Sequence, residues 1–275
     1  MEQSPNKFNK GDIFISLAVL ILYYFMLFFR VFFIIIFGFG IISSSATAQT
    51  RVRLDSLQNT LSSAKHDTIK VRLMLEISDV YRSLKSDSAA VMLNMADELS
   101  EKKLSEKSTP FADQCKYKLY KAHLLKQFGV LKRNQFEYEE AIRFYRRAYI
   151  AYHEISDLKD TALARKGNLG MSNCHTLMGH SFDFLGRYDE AIMHFEKSLL
   201  FGELLKDKSM ISTGHNNIGN VYSDLGRFDK AVEHFLKALK TKEETGDKPG
   251  IASCYNNLGI VHWNQKNFEK SIDYF

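Results

Sequence analysis

Residues 215–235, HNNIGNVYSDLGRFDKAVEHF, return 40 residues later as YNNLGIVHWNQKNFEKSIDYF at 255–275. They are foreshadowed 40 residues earlier as HTLMGHSFDFLGRYDEAIMHF at 175–195. Aligning on the glycine adds a fourth copy, so the register runs Gly129, Gly179, Gly219, Gly259. Nine residues after each glycine stands a ring: Tyr138, Tyr188, Phe228, Phe268. Twelve after it stands a small residue (Ala141, Ala191, Ala231, Ser271), and sixteen after it a second ring (Tyr145, Phe195, Phe235, Phe275). Four positions that agree in four copies mark a structural repeat, and periodicity of this kind governs every other inference from the chain.

The chemistry of each position gives the shape of one unit. In two copies the unit is divided by Leu185-Gly186-Arg187 or Leu225-Gly226-Arg227. Glycine directly after a helical run stops the helix, because it accepts a positive φ without a Cβ clash. Asp189 and Asp229 follow, placing negative charge at the exposed amide end of the next helix. In that second helix Ala231, Phe235 and Ala238 form one apolar stripe, and Val232, Leu236 and Leu239 form another beside it. A helix with two apolar flanks buries one on its partner and the other on the next unit. The small residues Gly219 and Ala231 predict that the paired helices cross closely. Each unit is therefore an antiparallel helix pair, and the fold class is all-α.

The succession Ile218-Gly219, Tyr222, Ala231, Phe235 and Ala238 resembles the tetratricopeptide repeat. That resemblance implies a right-handed α-solenoid of antiparallel helix pairs over residues 69–275, about five units with the last incomplete. Copies are best over 175–275 and clear over 125–148. A degenerate unit is expected over 69–105, where Tyr81 precedes Ala89, Leu93 and Ala96, and Ser78 stands near the glycine position. The interval is 40 residues, and 50 between Ala141 and Ala191, where the family commonly has about 34. The usual leading tryptophan is His175, His215 or Tyr255. A longer interval predicts longer second helices, for example from residue 229 to about 245. Thr109-Pro110 and Asp247-Lys248-Pro249 each read as a cap followed by proline in the first turn. Residues 49–68 read as a polar lead-in with a short helix. The chain stops midway along a second helix, whereas solenoids finish on a polar-faced capping helix; continuation beyond residue 275 is expected.

The first 48 residues differ from the rest. Residues 13–42 form a predominantly apolar stretch interrupted by one charge, Arg30, long enough for a membrane span of about 20 residues. Counted from Met26, the same stretch has one positive charge, an apolar core and Ala46-Thr47-Ala48, the layout of a cleaved secretory signal. A cleaved signal and an uncleaved N-terminal anchor both remain open, and both take the remainder to or across a membrane. For the rest, 45% apolar and 25% charged residues give a folded composition. A net charge of +5 without a dense Lys/Arg cluster gives no footprint for nucleic acid. Cys115, Cys174 and Cys254 read as small packing residues, since equivalent points on stacked units lie too far apart to bridge.

No nucleophile–base pair, phosphate-cradling glycine loop or metal-ligand spacing is present, so neither enzyme activity nor a cofactor is expected within these residues. His175 and His215 occupy one repeat position and His194 and His234 another. Equivalent side chains on neighbouring units start about 10 Å apart, which suits packing rather than a metal. Proteins of the resembled family bind partners in a concave groove lined by the first helix of each pair. Asn216 and Asn220 lie one turn apart on such a helix, and Asn256 repeats Asn216. Amide side chains both donate and accept, so a row of them can hold an extended peptide backbone. The same alignment adds His180, matching Asn220, and Asp183, Ser223 and Trp263. The family's basic clamp for carboxylate-ended peptides wants a Lys–Asn pair; Lys126 is present, but Val130 stands where the asparagine would be.

As a whole the layout resembles exported bacterial membrane sensors. It combines a leader, a lead-in with Asp55-Ser56-Leu57 and His66-Asp67-Thr68, and units of 40 residues. The resemblance implies a protein or peptide partner, a membrane contact through the N-terminal segment, and a kinase, cyclase or DNA-binding output beyond residue 275. An exported or membrane-tethered assembly scaffold without output is the alternative.

Overall fold

The glycine register sets the architecture. The computed structural model describes residues 49–84 and 86–275; the predicted leader lies outside them. Eleven helices and no strand occur among the described residues, and none of those helices is long and apolar enough to cross a membrane. The chain divides into compact units at residues 1–59 and 60–275. The described part of the first belongs to helix α1 (residues 49–63), whose last turn falls in the second.

The second unit is a file of five hairpins. These are α2 (Asp67–Leu84) with α3 (Ser86–Ser105), α4 (Phe111–Asn134) with α5 (Tyr138–Ser156), α6 (Thr161–Phe184) with α7 (Tyr188–Leu205), α8 (Lys208–Asp224) with α9 (Phe228–Thr245), and α10 (Lys248–Asn264) with α11 (Phe268–Tyr274). Every helix packs on its neighbours in sequence. In addition the first helices α2, α4 and α6 pack side by side, as do α8 and α10, while among the described residues no pair of second helices makes a comparable contact. The first helices therefore form the inner layer. The second helix α9 runs Phe228–Thr245, as the 40-residue interval predicts, while the 50-residue interval is absorbed in a first helix: α6 has 24 residues against 17 in α8 and in α10.

Inside the last four hairpins, the glycine faces the second ring of the register. A Cβ on Gly129, Gly179, Gly219 or Gly259 would come 2.5, 2.6, 2.7 or 2.8 Å from the ring of Tyr145, Phe195, Phe235 or Phe275 respectively. Tyr145, Phe195 and Phe235 are 0–1% exposed, and Ala141, Ala191 and Ala231 beside them are fully buried. The missing side chain is what lets the two helices close over a whole aromatic ring.

The turn inside the last four hairpins is equally regular. Seven residues after the register glycine the backbone is left-handed in four hairpins, at Phe136 (φ 63), Gly186 (φ 70), Gly226 (φ 68) and Lys266 (φ 60). There the next amide reaches back to a carbonyl five residues earlier, as in Arg187 to Phe182 and Asn267 to His262 at 2.8 and 2.9 Å. This pair of bonds satisfies the last helical carbonyls. Phe136 and Lys266 hold the conformation despite a Cβ, which costs about 1 kcal/mol. Lys266→Gly is expected to stabilise the α10–α11 hairpin by about 0.5–1 kcal/mol in urea unfolding. At helix starts, Asp247 caps α10 through Gly250 N–H at 3.0 Å, with proline in the first turn. Thr109 does not cap α4: Pro110 holds that position, and the Thr109 hydroxyl donates to the Lys103 carbonyl at 2.7 Å, closing the end of α3.

The histidines pair within hairpins. His175 and His194 meet Nδ1 to Nδ1 at 2.8 Å, and His215 and His234 at 3.2 Å. Each contact needs one protonated and one bare Nδ1, which neutral rings of opposite tautomer supply. Phe182 and Tyr222 lie against His194 and His234, and the next hairpin places Tyr255 by Tyr274 and stacks His262 on it. Burial holds His175, His194 and His234 at about 4, against the usual 6.5. Between these values the unfolded chain takes up protons that the folded rings refuse. Stability is therefore flat above about pH 7 and falls as pH drops from about 6.5 towards 4, by at least about 2 kcal/mol. Urea unfolding at pH 7.5 and pH 5 measures this. Part of the dependence should vanish in H175L/H194F, which installs the Leu125–Phe144 pair found at the same register in the preceding hairpin.

Candidate functional site

Two adjoining clefts of about 430 and 420 Å³ open on the first-helix face between α2, α4 and α6, and both are lined by Lys126 and Asn173. The helices α4 and α6 are the long ones, 24 residues each, so they present more inward-facing turns than α8 and α10.

The floor is built around Gln127, which is 6% exposed. Its Oε1 accepts from Arg82 Nη1 at 2.6 Å, and its Nε2 donates to Asp79 Oδ1 at 2.6 Å. Arg82 closes the triangle with Asp79 at 3.2 Å. The same amide nitrogen approaches His123 Nε2 at 3.5 Å, and His123 Nδ1 lies 3.4 Å from the Tyr152 hydroxyl. An amide N–H can only donate, so His123 accepts at Nε2 and carries its proton on Nδ1. Burial, then the charges of Lys126 and Arg82, push His123 down to about 3, so it is neutral. A closed network of this sort fixes side chains that would otherwise rotate.

Lys126 stands apart from the network. Its ammonium is half-buried at the junction of both clefts, and burial lowers its pKa. Among the described residues no carboxylate pairs with it, nor with Arg133, which lies two turns on along α4 in the second cleft. Asn173 and Thr176 from α6 face the same cleft, with Val130 and Leu177 as its apolar part. Cations without counter-ions, amides and small apolar surfaces together suit an extended chain bearing an acidic group.

The sequence-predicted residues all lie on first helices, but none of them lines these clefts. On α8, Asn216 is half-buried and its Oδ1 accepts from Asn257 Nδ2 of α10 at 2.8 Å. That amide ties two hairpins together and keeps only its donor end for a ligand. Asn220 and Asn256 are exposed. On α6, His180 lies edge-on to Phe195 and is lowered by burial, then by Arg133. Asp183 has a buried Oδ1 with no donor, and its carboxyl is raised by burial, then by Asp224. Ser223 is half-buried, and Trp263 is 57% exposed with Phe268 packed edge-on against it. Asp183 thus offers one unsatisfied acceptor on the same face as the clefts.

Lys126, Arg133 and Arg82 were legible by the same register. Asn216 is three residues before its glycine, and Lys126 and Thr176 hold that position in α4 and α6. Ser223 and Asp183 are four after it, and Arg133 holds that position in α4, as Arg82 does relative to Ser78. The inward-facing positions were identified in the later repeats; the concentrated chemistry lies in the earlier ones.

Residues 172–200 and 210–275 match models of the tetratricopeptide repeat. No curated protein matches the chain. Among solved structures, BtubC (BKLC) from P. vanneervenii is similar over 82% of this chain and 87% of its own, with 13% identity and a TM-score of 0.66. Aspartyl phosphate phosphatase F from Bacillus subtilis is similar over 82% of this chain and 66% of its own, at 16% identity and TM-score 0.60. A STAND signal transduction ATPase with a tetratricopeptide repeat sensor, PH0952 from Pyrococcus horikoshii, is similar over 79% of this chain and 31% of its own, at 15% identity and TM-score 0.60. These likenesses establish the fold: an all-helical tetratricopeptide-like solenoid.

Proposed function

We propose that the protein binds an extended segment of a partner protein along its first-helix face, with an acidic side chain of that segment seated on Lys126 and Arg133. The observation that supports this most is the half-buried, unpaired ammonium of Lys126 at the junction of the two clefts. Removing an ammonium from water costs free energy unless an anion compensates it. Here Asp79 acts on it only at a distance, being held by Arg82 and Gln127, and among the described residues no carboxylate pairs with it; a partner carboxylate would.

The wider role that accords with the sequence is sensing: an exported or membrane-tethered binding array in a signalling protein. The leader-like residues 13–42, the lead-in and the 40-residue units support it. Selection of random linear peptides on the immobilised protein tests the binding reading. Recovered peptides are expected to be enriched in Asp or Glu at one position and to compete with one another. Peptides without an acidic preference, or none recovered at all, would count against it.

A further inference from the structure

The opposite side of the array carries an apolar trench unrelated to the groove. Two overlapping clefts of about 430 Å³ each lie between α5 and α7 and share Tyr149, His175 and Lys197. Ile150 on α5 is 61% exposed, and Met193, Leu200 and Leu204 on α7 are 40, 62 and 67% exposed. On α7 these fall with Lys197 at steps of four, three and four residues, the spacing of a seam that receives another helix. Two cations, Arg146 and Lys197, border the trench without an ion-pair partner among the described residues. The neutral His175–His194 pair lies beneath, adding no charge to the floor.

The complement of this trench is on the same chain. The outward face of α3 carries Val91 and Met95, 53 and 44% exposed. Asp87 lies one turn before them and Glu98 about one turn after, both exposed and without an ion-pair partner among the described residues. That stripe is apolar in the middle and acidic at both ends, and the trench carries two cations among its apolar side chains, Lys197 within the α7 seam and Arg146 on α5 in the same cleft. We propose that α3 of a second copy docks between α5 and α7, its Val91 and Met95 against Leu200 and Leu204 and a flanking carboxylate towards Lys197 and Arg146. Donor and acceptor are different surfaces, so the contact is head-to-tail, and the dimer keeps one free surface of each kind to continue the assembly.

Sedimentation velocity of the protein tests this with two variants. V91E/M95E spoils the donor and L200E/L204E spoils the acceptor; all four side chains are exposed, and circular dichroism checks that helix content is kept. Wild type is expected to form concentration-dependent dimers and longer species. Each variant alone should lose them, while an equal mixture of the two should form a dimer and nothing longer, because one intact donor then meets one intact acceptor. A second pair, R146E/K197E and D87K/E98K, should likewise fail alone and associate when mixed. A wild type that stays monomeric, association that persists in the variants, or mixtures that do not pair would each overturn the proposal.

Discussion

Phe235→Ala is expected to destabilise the array by about 3–5 kcal/mol, the cost of removing a fully buried ring and leaving its cavity. The ring is 1% exposed and spans the crossing of α8 and α9 over Gly219. A more diagnostic result comes from the other side of the contact. Gly219→Ala gains about 1 kcal/mol in helix propensity, yet its methyl would sit 2.7 Å from the Phe235 ring. Overpacking of that kind costs about 1–3 kcal/mol and commonly more where the ring cannot move. The two positions share one space, so Gly219→Ala with Phe235→Leu should cost less than the sum of the single changes by at least about 1 kcal/mol. Urea unfolding of the four proteins gives the coupling directly. Additive effects would mean that the glycine is not there to admit the ring.

K126E/R133E is expected to weaken the acidic peptides recovered by selection about 100-fold, measured by calorimetry. Charge-assisted hydrogen bonds in a partly desolvated cleft are stronger than exposed ones, and reversing the cations adds repulsion to the lost attraction. Lys126→Gln should sit between wild type and the reversal. Neither change should alter the unfolding midpoint much, since among the described residues no carboxylate pairs with either cation. N216A/N256A should act differently. Asn216 holds Asn257 of the next hairpin, so that variant is expected to lose some stability along with any loss of binding.

Much of the hairpin geometry was legible because it rests on contacts at fixed spacing. The glycine, the small residue and the ring recur together, since a helix pair can close over a ring only where the facing Cβ is missing. The left-handed turn was visible at Gly186 and Gly226 but not at Phe136 and Lys266. There the capping bonds impose the conformation on residues that do not favour it, and no local preference announces that. The histidine pairs were harder still. His175 and His194 are 19 residues apart and meet only because the hairpin folds back on itself; comparing equivalent positions between units looks in the wrong direction for such a contact. The groove was legible as a set of inward positions, not as chemistry. Lys126 was weighed only against Val130 on its own helix, whereas its cleft is completed by Arg82 from α2 and Asn173 from α6, residues that stacking alone brings together.

The central claim is that the first-helix face is the binding face for a foreign peptide. Photo-crosslinking is its most direct test. A photoreactive residue at position 173 on α6 should capture a bound acidic peptide, and the same residue at position 196 on the outside of α7 should not. Capture from position 196 with none from position 173 would place the peptide on the second helices and contradict the account.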